Sequence, residues 1–110
     1  MLLLDKCLED VAKFLGVSDS SLKIGAILIQ WGTSSKTIAA NDGDSNTIKF
    51  PKAYSATPVV FAQSTSTTNF AGLFLCGVKE ITTMQFGMTF HNQYSQRTTI
   101  SGNWLAIGKA

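Results

Sequence analysis

The chain holds one histidine, His91, and most chemistry the sequence could perform would have to pass through it. A Ser–His–Asp arrangement needs a nucleophile and a carboxylate within hydrogen-bond reach of the imidazole. The available serines and aspartates lie in expected loops, and no nucleophile-elbow motif is present. Glycoside hydrolysis needs two carboxyl groups flanking the scissile bond, yet Glu80 is the only acid after Asp44. His91 has no second ligand at an H-x-H spacing, and neither cysteine has a partner at metal-ligand spacing. Asp42, Gly43 and Asp44 resemble part of a calcium loop, but the full spacing and the closing glutamate are missing. The expectation is therefore a protein with no catalytic residues, no metal and no cofactor. The segment HNQYSQR (91–97) suits binding better. Sugars are held by a ring against their apolar face and by planar amide, guanidinium and hydroxyl groups at their hydroxyls. His91, Asn92, Gln93, Tyr94, Gln96 and Arg97 supply these groups within seven positions.

The elements that must position this segment are strands. TTMQFGMTFHN (82–92) alternates strictly, with Met84, Phe86, Met88 and Phe90 facing one way and Gln85, Gly87, Thr89 and His91 the other. KIGAILIQW (23–31), TIKF (47–50), PVVFAQS (58–64), FAGLFLCGVKEI (70–81) and NWLAIG (103–108) read as further strands, and TIAA (37–40) as a short one. NDGDSN (41–46) is a turn signal, PKAYSATP (51–58) a connection crossing between sheets, and STSTTN (64–69) and QYSQRTTISG (93–102) polar loops. Either of the loops 41–46 and 64–69 could rim a binding tip or simply turn the chain. Gly72 and Gly77 mark a bulge or a close backbone approach. Six or seven strands without interleaved helices predict an all-β domain, an antiparallel sandwich or barrel.

Residues 1–21 differ. Leu4, Cys7, Val11 and Phe14 follow spacings of 3, 4 and 3, with Leu8 and Leu15 widening the stripe and Gly16 stopping it. This predicts a short N-terminal α-helix that either packs on its own domain or forms a seam between identical chains. The pattern alone does not choose between them. Asp5, Glu9 and Asp10 interrupt the leucines, and no basic region precedes them, so a signal peptide is not expected. Cys7 and Cys76 read as free, buried thiols. The 110 residues fit one domain; apolar residues make up 45% and charged residues 15%, against about 25% charged in typical chains. A net charge of +2 without a Lys/Arg run argues against nucleic acid. No apolar stretch approaches the roughly 18 residues that would insert in a membrane.

Three stretches, IQWG (29–32), TIKFPKAYSATPVVFAQ (47–63) and NWLAIG (103–108), resemble the C-terminal domain of bacteriophage tail fibre proteins. The same pattern is similar to H-type lectins. The resemblance covers residues 22–109 and leaves the helical segment outside it. It implies a six- or seven-stranded antiparallel β-sandwich tip over residues 22–110, preceded by a helical trimerisation segment over residues 1–21. It further implies a homotrimer at the end of a fibre and on a virion, joined to the rest of the tail fibre and made in the host bacterial cytoplasm. The implied function is recognition of a host cell-surface receptor, a glycan, without an enzymatic step. In H-type lectins part of the sugar site lies between the last two strands, which corresponds here to residues 91–102. A trimeric fibre also favours the seam reading of Leu4, Cys7, Val11 and Phe14. Trp31 and Trp104, in the signature strands, are expected to pack in the core or between chains and not to serve as a sugar platform. The alternative function is a capping trimer that fixes fibre assembly and touches no receptor.

Overall fold

The computed structural model describes residues 20–65 and 73–110. The expected helix and the seam residues Leu4, Cys7, Val11 and Phe14 lie outside the described residues, as do residues 66–72. Among the described residues seven strands run in order: β1 (Ser21–Ile24), β2 (Ile27–Ile38), β3 (Asp42–Lys49), β4 (Val59–Ser64), β5 (Phe74–Lys79), β6 (Gln85–Asn92) and β7 (Thr98–Lys109). They form two antiparallel sheets, β1-β2-β7-β4 and β3-β6-β5. The all-β, seven-stranded sandwich agrees with the expectation from sequence. Residues 51–58 do cross between the sheets, linking β3 to β4.

Several boundaries differ from the sequence reading. KIGAILIQW is not one strand but a hairpin: Ile24 pairs with Ile27 around Gly25 and Ala26. Gly25 takes φ 59, the positive φ that two-residue hairpin turns demand at their first central position. TIAA is not a separate strand: Thr37 and Ile38 end the 12-residue β2, and Ala39 and Ala40 lie in the connection that follows. NDGDSN is mostly strand, because Asn41 alone makes the turn with φ 53 and Asp42 then opens β3. Its turn-prone residues are tolerated because β3 is an edge strand, where Asp42 and Asp44 bond the amides of Gly43 and Ser45 at 2.8 Å. The loop 93–102 shrinks to residues 93–97, since β7 begins at Thr98 and pairs with β2 across all 12 residues of each strand. Gly77 sits in regular pairing opposite Thr89, so it marks a close approach and not a bulge.

Alternation buries Phe86, Met88 and Phe90 of β6 against Leu28, Ile100, Trp104 and Ala106 of β2 and β7. Met84, expected on that face, precedes the strand and stays exposed. The three signature stretches meet at one end of this core. Trp104 lies edge-on to Phe86 at 5.4 Å and to Phe50 at 5.9 Å, contacts worth about 0.5–1.5 kcal/mol each beyond burial. Its indole occupies the place that a side chain at Gly32, its register partner, would take. Gln30 is fully buried, and its amide pairs with Lys52 in both directions: Nε2 donates to the carbonyl at 2.9 Å, and Oε1 accepts from the N–H at 2.8 Å. Tyr54 donates its hydroxyl proton to the Ala106 carbonyl at 3.1 Å. The motif residues thus fasten the crossing segment under the sandwich, and Trp104 packs as expected.

Candidate ligand-binding face

The direction of each strand puts residues 39–41 and 93–97 together at one end of the sandwich, which we call the tip. The crossing segment, the Gly25 hairpin and the last residue, Ala110, lie at the other end, the base. Two connections stitch the tip: the Asn41 N–H donates to the Tyr94 carbonyl at 3.1 Å, and the Gln93 N–H donates to the Leu73 carbonyl at 2.8 Å.

The six residues expected to bind are placed very differently. Asn92 is buried, and its Nδ2 reaches the carbonyls of Ile38, Ala39 and Gln96 at 3.1, 3.2 and 2.9 Å. Its Oδ1 accepts from the Tyr94 N–H at 2.9 Å. Every polar atom of that side chain is engaged inside the chain, so it shapes the loop and has nothing left for a ligand. Tyr94 is half-buried, with its ring edge-on to Phe74 at 6.2 Å. His91, Gln93, Gln96 and Arg97 are exposed at the tip. The alternation of β6 sends His91 onto the outer face of its sheet, away from residues 96–97.

That outer face presents Gly43, Ser45 and Thr47 from β3, Gly87, Thr89 and His91 from β6, and Leu75, Gly77 and Lys79 from β5. An open cavity of about 470 Å³ is lined there by Asp42, Gly43, Asp44, Ser45, Lys79, Thr89 and His91. A second, of about 340 Å³, runs from Asp42, Gly43 and His91 over the rim to Asn41, Asn92 and Gln93. On the opposite side of β3, in the row that pairs with Phe90, an Asp44 carboxylate oxygen stands 3.1 Å from the ammonium of Lys36, which reaches it from β2 of the other sheet. The Ser45 amide, with the Lys36 ammonium second, holds the Asp44 carboxyl below its ordinary value. The groove residues on β3 and β5 were missed in the sequence. The polar alternation of β6 was visible, but its partners were hidden while 41–46 read as a turn.

The outer face of the other sheet is divided. At the base end Ile27, Trp31, Val59, Phe61, Leu105 and Ile107 are all exposed, Val59 and Phe61 at 58%. Register lines up Ile29, Ile107 and Val59 in one row and Trp31, Leu105 and Phe61 in the next. Toward the tip the same face turns polar, with Thr33, Asn103 and Gln63 in one row and the Thr37 and Thr99 hydroxyls 2.7 Å apart. Trp31 therefore sits on the surface and not in the core.

Residues 22–109 match the family described as tail fiber protein gp53-like, C-terminal. No curated protein matches the chain. The structure is similar to the tailspike protein gp49 of Pseudomonas phage LKA1, with a TM-score of 0.63 at 17% identity, over 74% of this chain and 15% of that one. It is similar to an N-truncated R1-type pyocin tail fiber, with a TM-score of 0.58 at 12% identity, over 91% and 94% of the two chains. The C-terminal piece of the P. aeruginosa R1 pyocin fiber gives a TM-score of 0.57 at 14% identity, over 74% of this chain and 23% of that one. The chain thus spans less than a quarter of the R1 fiber piece and of the tailspike, and at these identities the likeness is one of fold.

Proposed function

The chain belongs to the gp53-like tail fiber C-terminal family, and from that premise we propose that it is a trimeric fibre tip that binds a receptor on the host cell surface. The receptor in this reading is a glycan, and binding involves no chemical step. One observation carries the proposal: the apolar half-face and the polar tip stand at opposite ends of the molecule. β2 has 12 residues, so the two ends lie roughly 35 Å apart at ~3.3 Å per residue. Exposed apolar clusters of this kind mark protein contacts, and removing such side chains from water is worth on the order of 1 kcal/mol each when they start half-exposed. Copies packed through Trp31, Phe61, Leu105 and Ile107 would leave residues 39–41 and 91–97 facing outward. A head interface of this kind adds to the seam expected in residues 1–21. In this reading the chain is made in the host bacterial cytoplasm and works on the virion, attached to the rest of its fibre.

Light scattering tests the assembly: a trimer is expected, and Phe61→Glu with Leu105→Glu should reduce it to monomer. A monomeric parent at micromolar concentration refutes the trimer. Adhesion of fluorescently labelled protein to a panel of bacterial strains tests the receptor reading. Adhesion should fall when His91, Gln93 and Arg97 are changed together to Ala. If the protein adheres to no strain, the capping role replaces receptor binding.

A further inference from the structure

We propose that the uncharged polar half of the outer face of the β1-β2-β7-β4 sheet, centred on Asn103, is a contact between copies of this chain. The interface then runs the full length of β2 and β7 around a threefold axis. The inference rests on the trimeric reading, which packs only the apolar half, and it gives the rest of that face a partner.

Charge is spread unevenly over the head. Residues 20–110 hold seven lysines and arginines against three acids, a net side-chain charge of +4 with His91 neutral. Two such heads repel each other unless they meet where neither bears charge. The outer face of the four-stranded sheet is such a place. Every side chain turned outward from Ile27 to Thr37 on β2, from Thr99 to Ile107 on β7 and from Val59 to Gln63 on β4 is uncharged. Among the described residues of these three strands, Lys109 at the base rim is the one outward charge. The outer face of the β3-β6-β5 sheet, by contrast, carries Lys49, Lys79 and His91.

The apolar rows are too small to supply the contact alone. They cover roughly 20 Å along the strands by 15 Å across, about 300 Å², whereas a stable specific interface takes about 800 Å² from each partner. Width suits three copies. Sheets pack about 10 Å apart, so three around one axis stand ~6 Å from it, and the triangle they enclose has sides of ~20 Å, the width of four strands at ~4.8 Å. β2 and β7 are the inner strands of the sheet, so their outward side chains fill the middle. With the strands along the axis, Thr33, Asn103 and Ser101 line it just as Trp31 and Leu105 do. All three are exposed in the single head, and their side chains form no hydrogen bond among the described residues. An asparagine amide both donates and accepts, so three Asn103 side chains can pass a closed ring of bonds about the axis. A buried asparagine layer beside apolar ones fixes register and copy number at some cost in stability.

The test is sedimentation velocity over a concentration series, on the full-length parent, Asn103→Asp and Ser101→Lys, at about pH 4 and about pH 7.5. The parent should be a trimer at both. Asn103→Asp brings three carboxyl groups together at the axis. An ordinary aspartate ionises near pH ~3.9, and burial beside its two copies raises that value in the assembly. The penalty is therefore small at the acidic pH and grows as pH rises. At the higher pH it should weaken the trimer by at least roughly a hundredfold. Ser101→Lys should weaken it at both. Each residue is exposed in the single head, so circular dichroism should show the strands intact. Parent-like assembly of either variant at the higher pH overturns the full-length interface and leaves the trimer standing. Loss of the strand signal overturns it too, since the residue would then serve the single head. Variants that assemble like the parent but lose adhesion to bacterial cells would make the polar rows a ligand surface instead. A monomeric parent defeats both this inference and the trimeric reading.

Discussion

Adding a single methyl group at Gly32 should destabilise the domain through Trp104. An alanine Cβ there would sit 2.7 Å from the indole Nε1, 2.8 Å from Cε2 and 2.9 Å from Cζ2. Unstrained carbon contacts need about 3.5–4.0 Å, so the ring must withdraw by ~1 Å. It has no room to do so, because Trp104 is 6% exposed and wedged against Phe50 and Phe86. Overpacking of this kind costs about 1–3 kcal/mol. Replacing glycine also stiffens the unfolded chain, which returns about 0.4–1 kcal/mol. The net expectation is a loss of about 1–2 kcal/mol, or a melting temperature lower by roughly 5–15 °C in a domain of this size. Thermal unfolding followed by circular dichroism measures it, at matched protein concentration because any assembly makes the midpoint concentration-dependent. The mechanism is checked by a cycle with Trp104→Leu, in which the smaller side chain should erase the penalty of Gly32→Ala. A Gly32→Ala variant as stable as the parent, or a penalty that persists with Trp104→Leu, would refute the reasoning.

Asn92→Ala should cost about 2–4 kcal/mol, since it strands the Tyr94 amide and buried carbonyls that bond Nδ2; hydrogen exchange should speed up across residues 93–97, and an unchanged exchange pattern would show the loop holds without it. The Asp44 carboxyl is held low in the fold, so its contribution is present above the ordinary carboxylate range and is lost as pH falls through the lowered value. Urea midpoints of the parent and Lys36→Met should therefore converge on acidification, and also in high salt, because the pair is exposed. Burial raises the pKa of the Cys76 thiol, which leaves little thiolate to react. In a Cys7→Ser background, alkylation at pH 8 should be slow in the folded protein and fast in urea; equal rates would mean the thiol is open to solvent.

Alternation in β6 was legible because period two survives in any half-buried strand: Phe86, Met88 and Phe90 faced the core as read, and Gln85, Thr89 and His91 faced out. The crossing segment was legible from Pro51 and Pro58, which cannot serve a ladder's interior. Hairpin and edge positions were less so. KIGAIL reads as one apolar run because a two-residue turn at Gly25 leaves almost no gap in hydrophobicity, and DGDSN reads as a turn because local propensity yields to pairing only once β6 is in place.

By itself the sequence determined the fold class, the tail fibre family and the segment from which a tip loop would be built, since these depend on periodicity and on motifs that are local. Only the tertiary structure decided which of those residues can meet a ligand. Asn92 and His91 are adjacent in the chain, yet successive strand residues point to opposite faces, so one is consumed inside the loop and the other lies open on Gly43. The apolar half-face is likewise invisible along the chain, because it is made of residues from three strands brought level by register.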